Sequence, residues 1–431
     1  MGGSVFSSGP DSLRTPRMPK DVYFDRKERI ISILQDHFQT VDTPIEGPEK
    51  EDFGDIDIVL YGFKYRNPSR ENIVELLESE LSAVRSKIVN HEEISLSVAI
   101  PWDIDSDSES SSDGSVRTAI RDGPDTPPPP VDYIQVDLRV CDTFHRLEWV
   151  LFKHAHGDAW NMIGTIIRPY GLTVDEQALW LRIPEYEHIN RKRARIELTT
   201  HPFEILDFLN LDSDEFFSGP FGSFHELCEF IALCRMFYVP PLEDSSDEAG
   251  GPSAEGQDRR ELKANDRKRM KVRPGFRRWI EEYIPECRRE GKYVRRRTNR
   301  EEIMYECFDR FAVEREYNAR KKEFMQEQEA DYIWTTLIKG SIPAPPADST
   351  DTKAQQYRGT LVKALKKILL EDNKSYGVVA PKMRNSEGSW DLDRVKAWIE
   401  EVKDTVGRIA YDQQYAAYQE KKAAQAANNA N

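Results

Sequence analysis

Residues 54–60, GDIDIVL, predict a β-strand and the chemistry of one of its faces in this 431-residue chain. Side chains alternate along a strand, so Asp55 and Asp57 lie on one face while the isoleucines and Leu60 lie on the other, toward a core. Two carboxylates on one face repel each other unless a cation lies between them. The pattern is therefore typical either of a solvated strand face or of a divalent metal site.

A second strand is predicted for residues 132–141, DYIQVDLRVC, because apolar residues alternate with polar ones. The apolar residues take the core face, which leaves Gln135 and Asp137 on the opposite face. If the two strands are neighbours, Asp137 joins Asp55 and Asp57. Three carboxylates on adjacent strands supply the hard oxygen ligands that one or two Mg²⁺ ions need in phosphoryl or nucleotidyl transfer.

The elements around these strands predict an α+β fold with a mixed sheet. A helix at 24–38, a short strand at 40–45 and a helix that begins after Ser69 precede another strand at 92–102. The serine-, acid- and proline-rich residues 103–131 cannot bury enough apolar area to fold. We expect them to form a disordered insertion at the tip of a long hairpin within one sheet, because loop closure depends only weakly on length.

The predicted regions of the chain follow from composition and periodicity. Thr298 and Glu301 have capping-box spacing at the start of one of the later helices. In chain order the regions are a disordered N-terminus (1–19), an α+β domain (20–142) with its insertion (103–131), a helical and mixed second half (143–241), an acidic linker (242–260), a separate all-α part made of a basic helical region (261–340) and C-terminal helices (350–415), and a low-complexity tail (416–431).

The charge of the chain is −15, from 61 Lys and Arg against 76 Asp and Glu. This balance excludes a protein whose whole surface is built for nucleic acid, although it allows a local basic site. Serines among the acids of 103–131 and 243–258 are either kinase substrates or parts of solubilising linkers. No secretory signal, membrane-spanning segment or paired-cysteine motif is apparent, so we expect an intracellular protein of the nucleus or cytoplasm, without membrane contact.

Residues 263–322 form a basic segment within this acidic chain, because Lys and Arg outnumber Asp and Glu there. Phe276, Trp279, Tyr283 and Tyr293 are interleaved with the basic side chains. Cationic groups bind phosphates and aromatic rings stack on bases, so the pattern indicates an RNA-binding surface. Two other interpretations stay open, namely a solvated helical region paired with the acidic linkers and a nuclear-import patch.

The order helix, short strand, glycine turn, G-D-h-D-h strand, helix and h-D-h strand resembles the nucleotidyltransferase fold of DNA polymerase β, poly(A) polymerases and CCA-adding enzymes. The resemblance covers about residues 20–141, includes the turn PIEGPEKEDFGDIDIVL, and extends to uncharacterised fungal members of that superfamily. It implies that Asp55 and Asp57 bind two Mg²⁺ or Mn²⁺ ions. It also implies that Asp137 binds the catalytic ion and helps to deprotonate an attacking hydroxyl group.

The same resemblance implies that Gly47, Lys50 and Gly54 contact the nucleotide, with backbone N–H groups of the Gly47 turn on the terminal phosphates. The expected activity is transfer of a nucleoside monophosphate from an NTP to RNA or another acceptor. The chain departs from the family at Pro48, which stands where serine is usual and offers neither a hydroxyl nor an N–H group. The alternative is a catalytically inactive member of the fold that acts as a nucleic-acid- or protein-binding module.

Overall fold

The computed structural model describes residues 3–65, 69–90, 93–102, 131–240, 264–346, 351–386 and 388–428. The chain forms two compact units. We call Met1–Arg182 with Arg195–Val313 the sheet unit, and Ile183–Ala194 with Glu314–Asn431 the helical unit. The boundary thus falls at Val313, whereas the predicted linker at 242–260 lies outside the described residues. The predicted α+β class, with a mixed sheet followed by a helical half, is confirmed.

A five-stranded mixed sheet forms the first half of the sheet unit, in the order β2-β4-β7-β6-β5. The central strands β4 and β7 are parallel, and the other neighbours are antiparallel. The strands of this half are β1 (Met18–Pro19), β2 (Phe38–Asp42), β3 (Asp52–Phe53), β4 (Asp55–Phe63), β5 (Arg85–Asn90), β6 (Ile94–Pro101) and β7 (Tyr133–Cys141). Because β6 and β7 pair along their whole lengths, the predicted insertion connects adjacent antiparallel strands; residues 103–130 themselves lie outside the described chain.

The two faces of this sheet differ as the alternation predicts. Helices α1 (Lys20–Gln35) and α2 (Arg70–Glu80) pack on the face that carries Ile56, Ile58 and Leu60 and build the main core. Ser69 accepts a hydrogen bond from the backbone of residue 72 and begins α2 in a capping box, as predicted for the cap. On the opposite face, α3 (Phe144–His154) packs at one end of the sheet, which leaves the acidic positions uncovered by its apolar side chains.

The rest of the sheet unit consists of a small antiparallel sheet and short helices. The sheet has the order β10-β9-β8, with β8 at Leu172–Val174, β9 at Leu179–Arg182 and β10 at Arg195–Thr199. The helices are α4 (Ala159–Ile167), a 3₁₀ turn (Arg168–Tyr170), α5 (Pro202–Leu209), α6 (Ser213–Phe217), α7 (Phe224–Ala232), α8 (Ala264–Val272), α9 (Pro274–Arg278), a π-helical turn (Trp279–Tyr283), α10 (Ile284–Arg289) and α11 (Arg300–Phe311).

The helical unit has its own apolar core, built mainly by two long helices and a π-helical turn. Its segment Ile183–Ala194 attaches to a third long helix, which precedes that turn, where Tyr186 stacks on Phe324 with ring centroids 5.0 Å apart. The helices are α12 (Glu314–Tyr332), a π-helical turn (Ile333–Ile338), α13 (Lys339–Ser341), α14 (Thr352–Leu370) and α15 (Leu392–Asn428). The predicted low-complexity tail therefore continues α15 as far as Asn428. Within the described chain, none of the helices is long and apolar enough to cross a bilayer.

Two local predictions are wrong, and one strand was missed. The N-terminal residues from Gly3 onward follow a defined path, with Phe6 and Met18 buried, so they are not disordered. The predicted cap at Thr298 lies one residue too early, because Asn299 and Glu302 form the capping box of α11. The edge strand β5 was not predicted, since none of its side chains is buried and it lacks an apolar alternation.

Candidate active site

The pairing of β4 with β7 brings the predicted acids together in register. Asp57 lies opposite Asp137 across the parallel pair, and Asp55 lies opposite Gln135. On the next strand, Ser97 of β6 lies opposite Asp137. One row across three strands thus reads Asp57, Asp137, Ser97, and side chains in such a row share one face of the sheet.

Asp57 faces a recess of about 200 Å³ that Asp137 and His154 also line. The residue is exposed to solvent at the mouth of the recess, yet surrounding protein atoms remove part of the water from its carboxylate. This desolvation and the negative charges of Asp55 and Asp137 raise the pKa of Asp57 to about 7. An ionised Asp57 is therefore the group that a bound cation would stabilise most.

Asp137 is held in place by two neutral partners. The Gln135 amide donates from Nε2 to Oδ1 of Asp137 over 2.9 Å, and the Ser97 hydroxyl also bonds to this carboxylate. Gln135 and Ser97 are each 1% exposed. Burial raises the pKa of Asp137, and the negative charge of Asp55 adds to the effect, although both hydrogen bonds oppose it. The carboxylate is thus oriented by side chains that cannot themselves turn toward solvent.

Asp55 has a partner that the sequence did not reveal. The backbone N–H of Gly3 donates to Oδ2 of Asp55 over 3.1 Å, and the N–H of Val5 donates to Oε1 of Gln135 over 3.0 Å. Gly3 has a φ of +81°, and a Cβ atom there would lie 2.1 Å from the Gly54 carbonyl oxygen. Only glycine fits this close approach, so the N-terminal segment is fixed directly against the acidic face.

A fourth acid, Glu46, also interacts with the cluster. It accepts a hydrogen bond from the Tyr23 hydroxyl and lies 3.0 Å from Nζ of Lys50. Its negative charge contributes to the raised pKa of Asp57, while Lys50 opposes that rise. Burial, followed by the charge of Glu46, raises the pKa of Tyr23 well above its usual range. The turn sequence PIEGPEK contains Glu46 and Lys50, but strand periodicity gave no signal for the acid.

The Gly47 turn lines a different cavity, of about 480 Å³, which shares no lining residue with the recess at Asp57. Three arginines on its wall are paired with acids, at N–O distances between 2.8 and 3.3 Å. The pairs are Arg17 with Asp52, Arg273 with Asp158, and Arg278 with Glu49. Gly47 approaches Gly157 of the loop before α4, and Lys50, the other predicted phosphate contact, is exposed.

The chemistry of the acids fits a divalent cation, because all donors are hard carboxylate oxygens and their mutual repulsion is only partly relieved. In the described part of the chain, however, no group of three or more His, Cys, Asp or Glu side chains has an arrangement that could hold a metal ion. The Asp55 and Asp137 carboxylates are instead directed by Gly3 and Gln135. Metal binding would therefore require Asp55 to exchange its hydrogen bond from Gly3 for the ion.

Three of the four aromatic residues that the sequence places among the basic side chains are buried, and the fourth, Tyr293, is half-buried. Phe276 and Trp279 are 0% exposed and Tyr283 is 3% exposed, because they belong to the core of the sheet unit. Trp279 stacks on Tyr283 with ring centroids 5.0 Å apart. The expectation that these rings bind bases is thus wrong, while the exposed cations remain, among them the triplet at 295–297.

No family model matches the chain, and no curated protein matches its sequence. Among solved structures the chain is similar to the Leishmania infantum polymerase beta in a ternary P/T complex, with 11% sequence identity and a TM-score of 0.30. The match covers 46% of this chain and 74% of that chain. The resemblance to fungal members has no support in these comparisons. A similarity at this level says nothing about function, which is inferred below from the geometry of the acidic face alone.

Proposed function

We propose that the chain is a metal-dependent nucleotidyltransferase, which moves a nucleoside monophosphate from an NTP to RNA or another acceptor. The observation that carries the proposal is the register of Asp57 with Asp137 across the parallel strands β4 and β7, with Asp55 two residues before Asp57 on the same face. Acids at neighbouring positions on adjacent strands repel each other, and a purely structural sheet gains nothing from this arrangement.

The three acids have distinct roles in the proposal. Asp55 and Asp57 would hold Mg²⁺ or Mn²⁺, which supplies positive charge for the triphosphate and lowers the pKa of the attacking hydroxyl group. Asp137 would share this role and accept the proton of the hydroxyl group. Its orientation by Gln135 and Ser97 supports that role, because a proton acceptor must be fixed within hydrogen-bond reach of its donor.

The cavity at the Gly47 turn is the candidate place for the nucleotide phosphates. Lys50 and Arg278 would supply cationic contacts, and the backbone of Gly47 would supply an N–H group. Arg278 is paired with Glu49 over 2.8 Å, so phosphates would have to displace that carboxylate. Pro48 contributes no hydrogen-bond donor here, so the arginines of the cavity are the stronger phosphate contacts.

For the acceptor we propose RNA, held through its phosphates by the exposed arginines and lysines of the basic segment. The exposed triplet at 295–297 supports this choice. Because Phe276, Trp279 and Tyr283 are buried, binding would depend mainly on charge rather than on base stacking, and would show little sequence preference.

A second candidate function is a non-catalytic binding module with the same fold. Two observations favour it, namely the hydrogen bond from Gly3 to Asp55 and the lack of a metal-holding arrangement among the described residues. In this case the acids would remain on the sheet without binding a catalytic ion.

The experiment that separates the two functions is an incorporation assay with labelled NTPs, Mn²⁺ or Mg²⁺, and mixed RNA. We expect incorporation by the wild type, and a loss of more than about a hundredfold in the Asp55→Asn/Asp57→Asn variant, because metal-assisted charge stabilisation supplies several kcal/mol. Asp309→Asn is the matched control, since Asp309 is an exposed acid of α11 in the same unit. Equal incorporation by the wild type and the double variant, or incorporation by neither, would refute the enzymatic proposal.

A further inference from the structure

A small polar cavity of about 100 Å³ in the sheet unit has no role in the proposed nucleotidyl transfer. Its wall carries three cationic side chains and no acidic one. The cations are Lys153 of α3, Arg168 of the 3₁₀ turn and Arg269 of α8. Asn161 of α4 and Thr173 of β8 add two polar side chains to the same wall. Four consecutive elements and the remote helix α8 thus place hydrogen-bond donors around one space.

The positive charge of this wall is only partly balanced. Asp266, which is 2% exposed, accepts hydrogen bonds from Arg168 and Arg269, the latter over 2.6 Å. One carboxylate is therefore shared by two guanidinium groups. Since Asp266 does not line the cavity itself, the cavity retains an excess of positive charge.

Lys153 is the main source of that excess. In the part of the chain that the structure describes, its Nζ has neither a hydrogen-bond partner nor an ion pair, and it lies 5.1 Å from the ring centroid of Trp160. Burial lowers the pKa of Lys153 to about 8, and the positive charges of Arg269 and Arg273 lower it further, against the effect of nearby acids. A half-buried ammonium group that has acids nearby but no carboxylate in contact is incompletely compensated, and an anion from solution would stabilise it.

The two polar side chains of the wall are also available to a ligand. Neither the Asn161 amide nor the Thr173 hydroxyl has a hydrogen-bond partner within the described residues. An amide N–H, a hydroxyl and an ammonium group are all donors, and two arginines lie beside them. A set of donors without an acidic acceptor matches an oxyanion rather than a cation or an apolar group.

We propose that this cavity binds one phosphate group, either as inorganic phosphate or as the phosphate of a mononucleotide. A volume of about 100 Å³ holds a few water molecules or one tetrahedral oxyanion. It is well below the roughly 300 Å³ at which pockets begin to enclose organic ligands, so a sugar and base would remain outside. The site does not depend on the acidic face or on a metal ion.

The test is a calorimetric titration of the full chain with inorganic phosphate in buffer that contains EDTA, which removes any metal-dependent binding at the acids. Lys153→Met keeps the apolar stem of the side chain and removes its charge. We expect phosphate affinity to fall by about tenfold to a hundredfold, as for the loss of one hydrogen bond to a charged group. Lys268→Met is the matched control, because Lys268 is exposed on α8 and does not line the cavity.

A second variant keeps the proposal testable if Lys153→Met is unstable. Asn161→Asp places a carboxylate in the cavity, where it would pair with Lys153. We expect this variant to melt at a higher temperature than the wild type in phosphate-free buffer and to bind phosphate at least about tenfold more weakly. Unchanged phosphate binding in Asn161→Asp, no binding by the wild type, or an equal loss in Lys153→Met and Lys268→Met would each overturn the proposal.

The source of the phosphate is distinguished by titrating the wild type with AMP and with adenosine under the same conditions. Tighter binding of AMP than of inorganic phosphate, lost in Lys153→Met, identifies a mononucleotide as the ligand. Equal or weaker binding of AMP identifies inorganic phosphate. Binding of adenosine alone with the affinity of AMP would overturn the proposal, because the phosphate group would then contribute nothing.

Discussion

The acidic face of the five-stranded sheet and the basic segment at 263–322 are the two regions whose sequences point to nucleic-acid chemistry. In the first, the structure places Asp57 opposite Asp137, on the face that strand alternation predicts. In the second, many basic side chains are exposed, but three aromatic residues interleaved with them, Phe276, Trp279 and Tyr283, are buried. A two-residue period thus assigns each side chain to a face, whereas the pattern of a mixed helical segment does not.

The physical reason is that a carboxylate and an aromatic side chain differ in whether the core is a favourable place for them. A carboxylate on a strand has no favourable place in the core, so its face is fixed by its charge. A tryptophan or phenylalanine between arginines can either stay exposed for a ligand or enter a core, and burial of its large apolar area favours the core. Trp279 and Phe276 are therefore structural residues, although their neighbours in sequence are cationic.

The largest effect that we predict concerns stability in the basic segment. Trp279→Ala should lower the free energy of unfolding by about 3–5 kcal/mol, because the ring is fully buried and its removal leaves a cavity. Urea unfolding followed by circular dichroism measures this change. Tyr305→Ala, at a side chain that is 57% exposed on α11, is the control, for which we expect a change within about 0.5 kcal/mol. Similar small changes in both variants would show that Trp279 is available to a ligand after all.

The next largest effect concerns metal affinity at the acidic face. Asp57→Asn should weaken Mn²⁺ binding by at least about tenfold, because an amide oxygen replaces an anionic ligand beside two other acids. Electron paramagnetic resonance of free Mn²⁺ measures the affinity without any need for turnover. Asp309→Asn should bind Mn²⁺ as the wild type does, and the same affinity in both variants would place the ion elsewhere.

RNA binding by the basic segment should depend on its positive charge and not on its aromatic side chains. Replacing the arginines at 295–297 by alanine should reduce the slope of log affinity against log salt by about 2, if each arginine neutralises one phosphate of single-stranded RNA. Fluorescence anisotropy of a labelled oligonucleotide at several salt concentrations measures this slope. Retention of the full slope in the triple variant would assign RNA contacts to another surface.

A smaller effect is expected where the N-terminal segment meets the acids. Gly3→Ala should expel the segment, because the new Cβ would collide with the Gly54 carbonyl, and should tighten Mn²⁺ binding by about threefold to tenfold as Asp55 loses its hydrogen bond. Gly9→Ala is a matched control, since Gly9 also has a positive φ but a Cβ atom there would meet nothing within 4 Å. Equal Mn²⁺ affinities in the two variants would mean that the contact does not compete with the ion.

The smallest effect is a pH dependence of stability. The pKa of Asp57 is about 7 in the folded chain against an ordinary value of 3.8, so between these values the folded state binds more protons than the unfolded state. The free energy of unfolding therefore decreases as pH rises toward 7. Asp57→Asn should match the wild type near pH 4 and be more stable near pH 8, by on the order of 1 kcal/mol or less because water screens the site. A difference that is constant with pH would contradict the raised pKa.

Much of the fold followed from local patterns, and the exceptions have identifiable causes. Strand β4, the cap at Ser69 and the pairing of the strands that flank the insertion agree with the sequence because alternation and capping act over a few residues. The strand β5 lies at the sheet edge with no buried side chain, so it carries no apolar period. The cap of α11 at Asn299 was missed because Thr298 offers the same chemistry one residue earlier.

The residues of the candidate site also divide into those that local patterns identified and those that they did not. The sequence identified Asp55, Asp57 and Asp137, since acids within apolar strands are locally conspicuous. It did not identify Gly3 or Glu46 as neighbours of these acids, because their contacts join residues with no common period: Gly3 reaches Asp55 across 52 positions, and Val5 reaches Gln135 across 130. Nor could it place Lys153, Asn161 and Arg269 around one cavity, as they lie on three separate helices.

The sequence by itself determined which face of each strand would carry charge, because the two-residue period and the cost of burying a carboxylate leave a single solution. The tertiary structure decided the rest. It selected Asp137 as the partner of Asp57 through parallel pairing, buried Trp279 and its neighbouring rings in a core, and brought the backbone of Gly3 to an acid. These outcomes depend on contacts between distant segments, whose free energies no local pattern encodes.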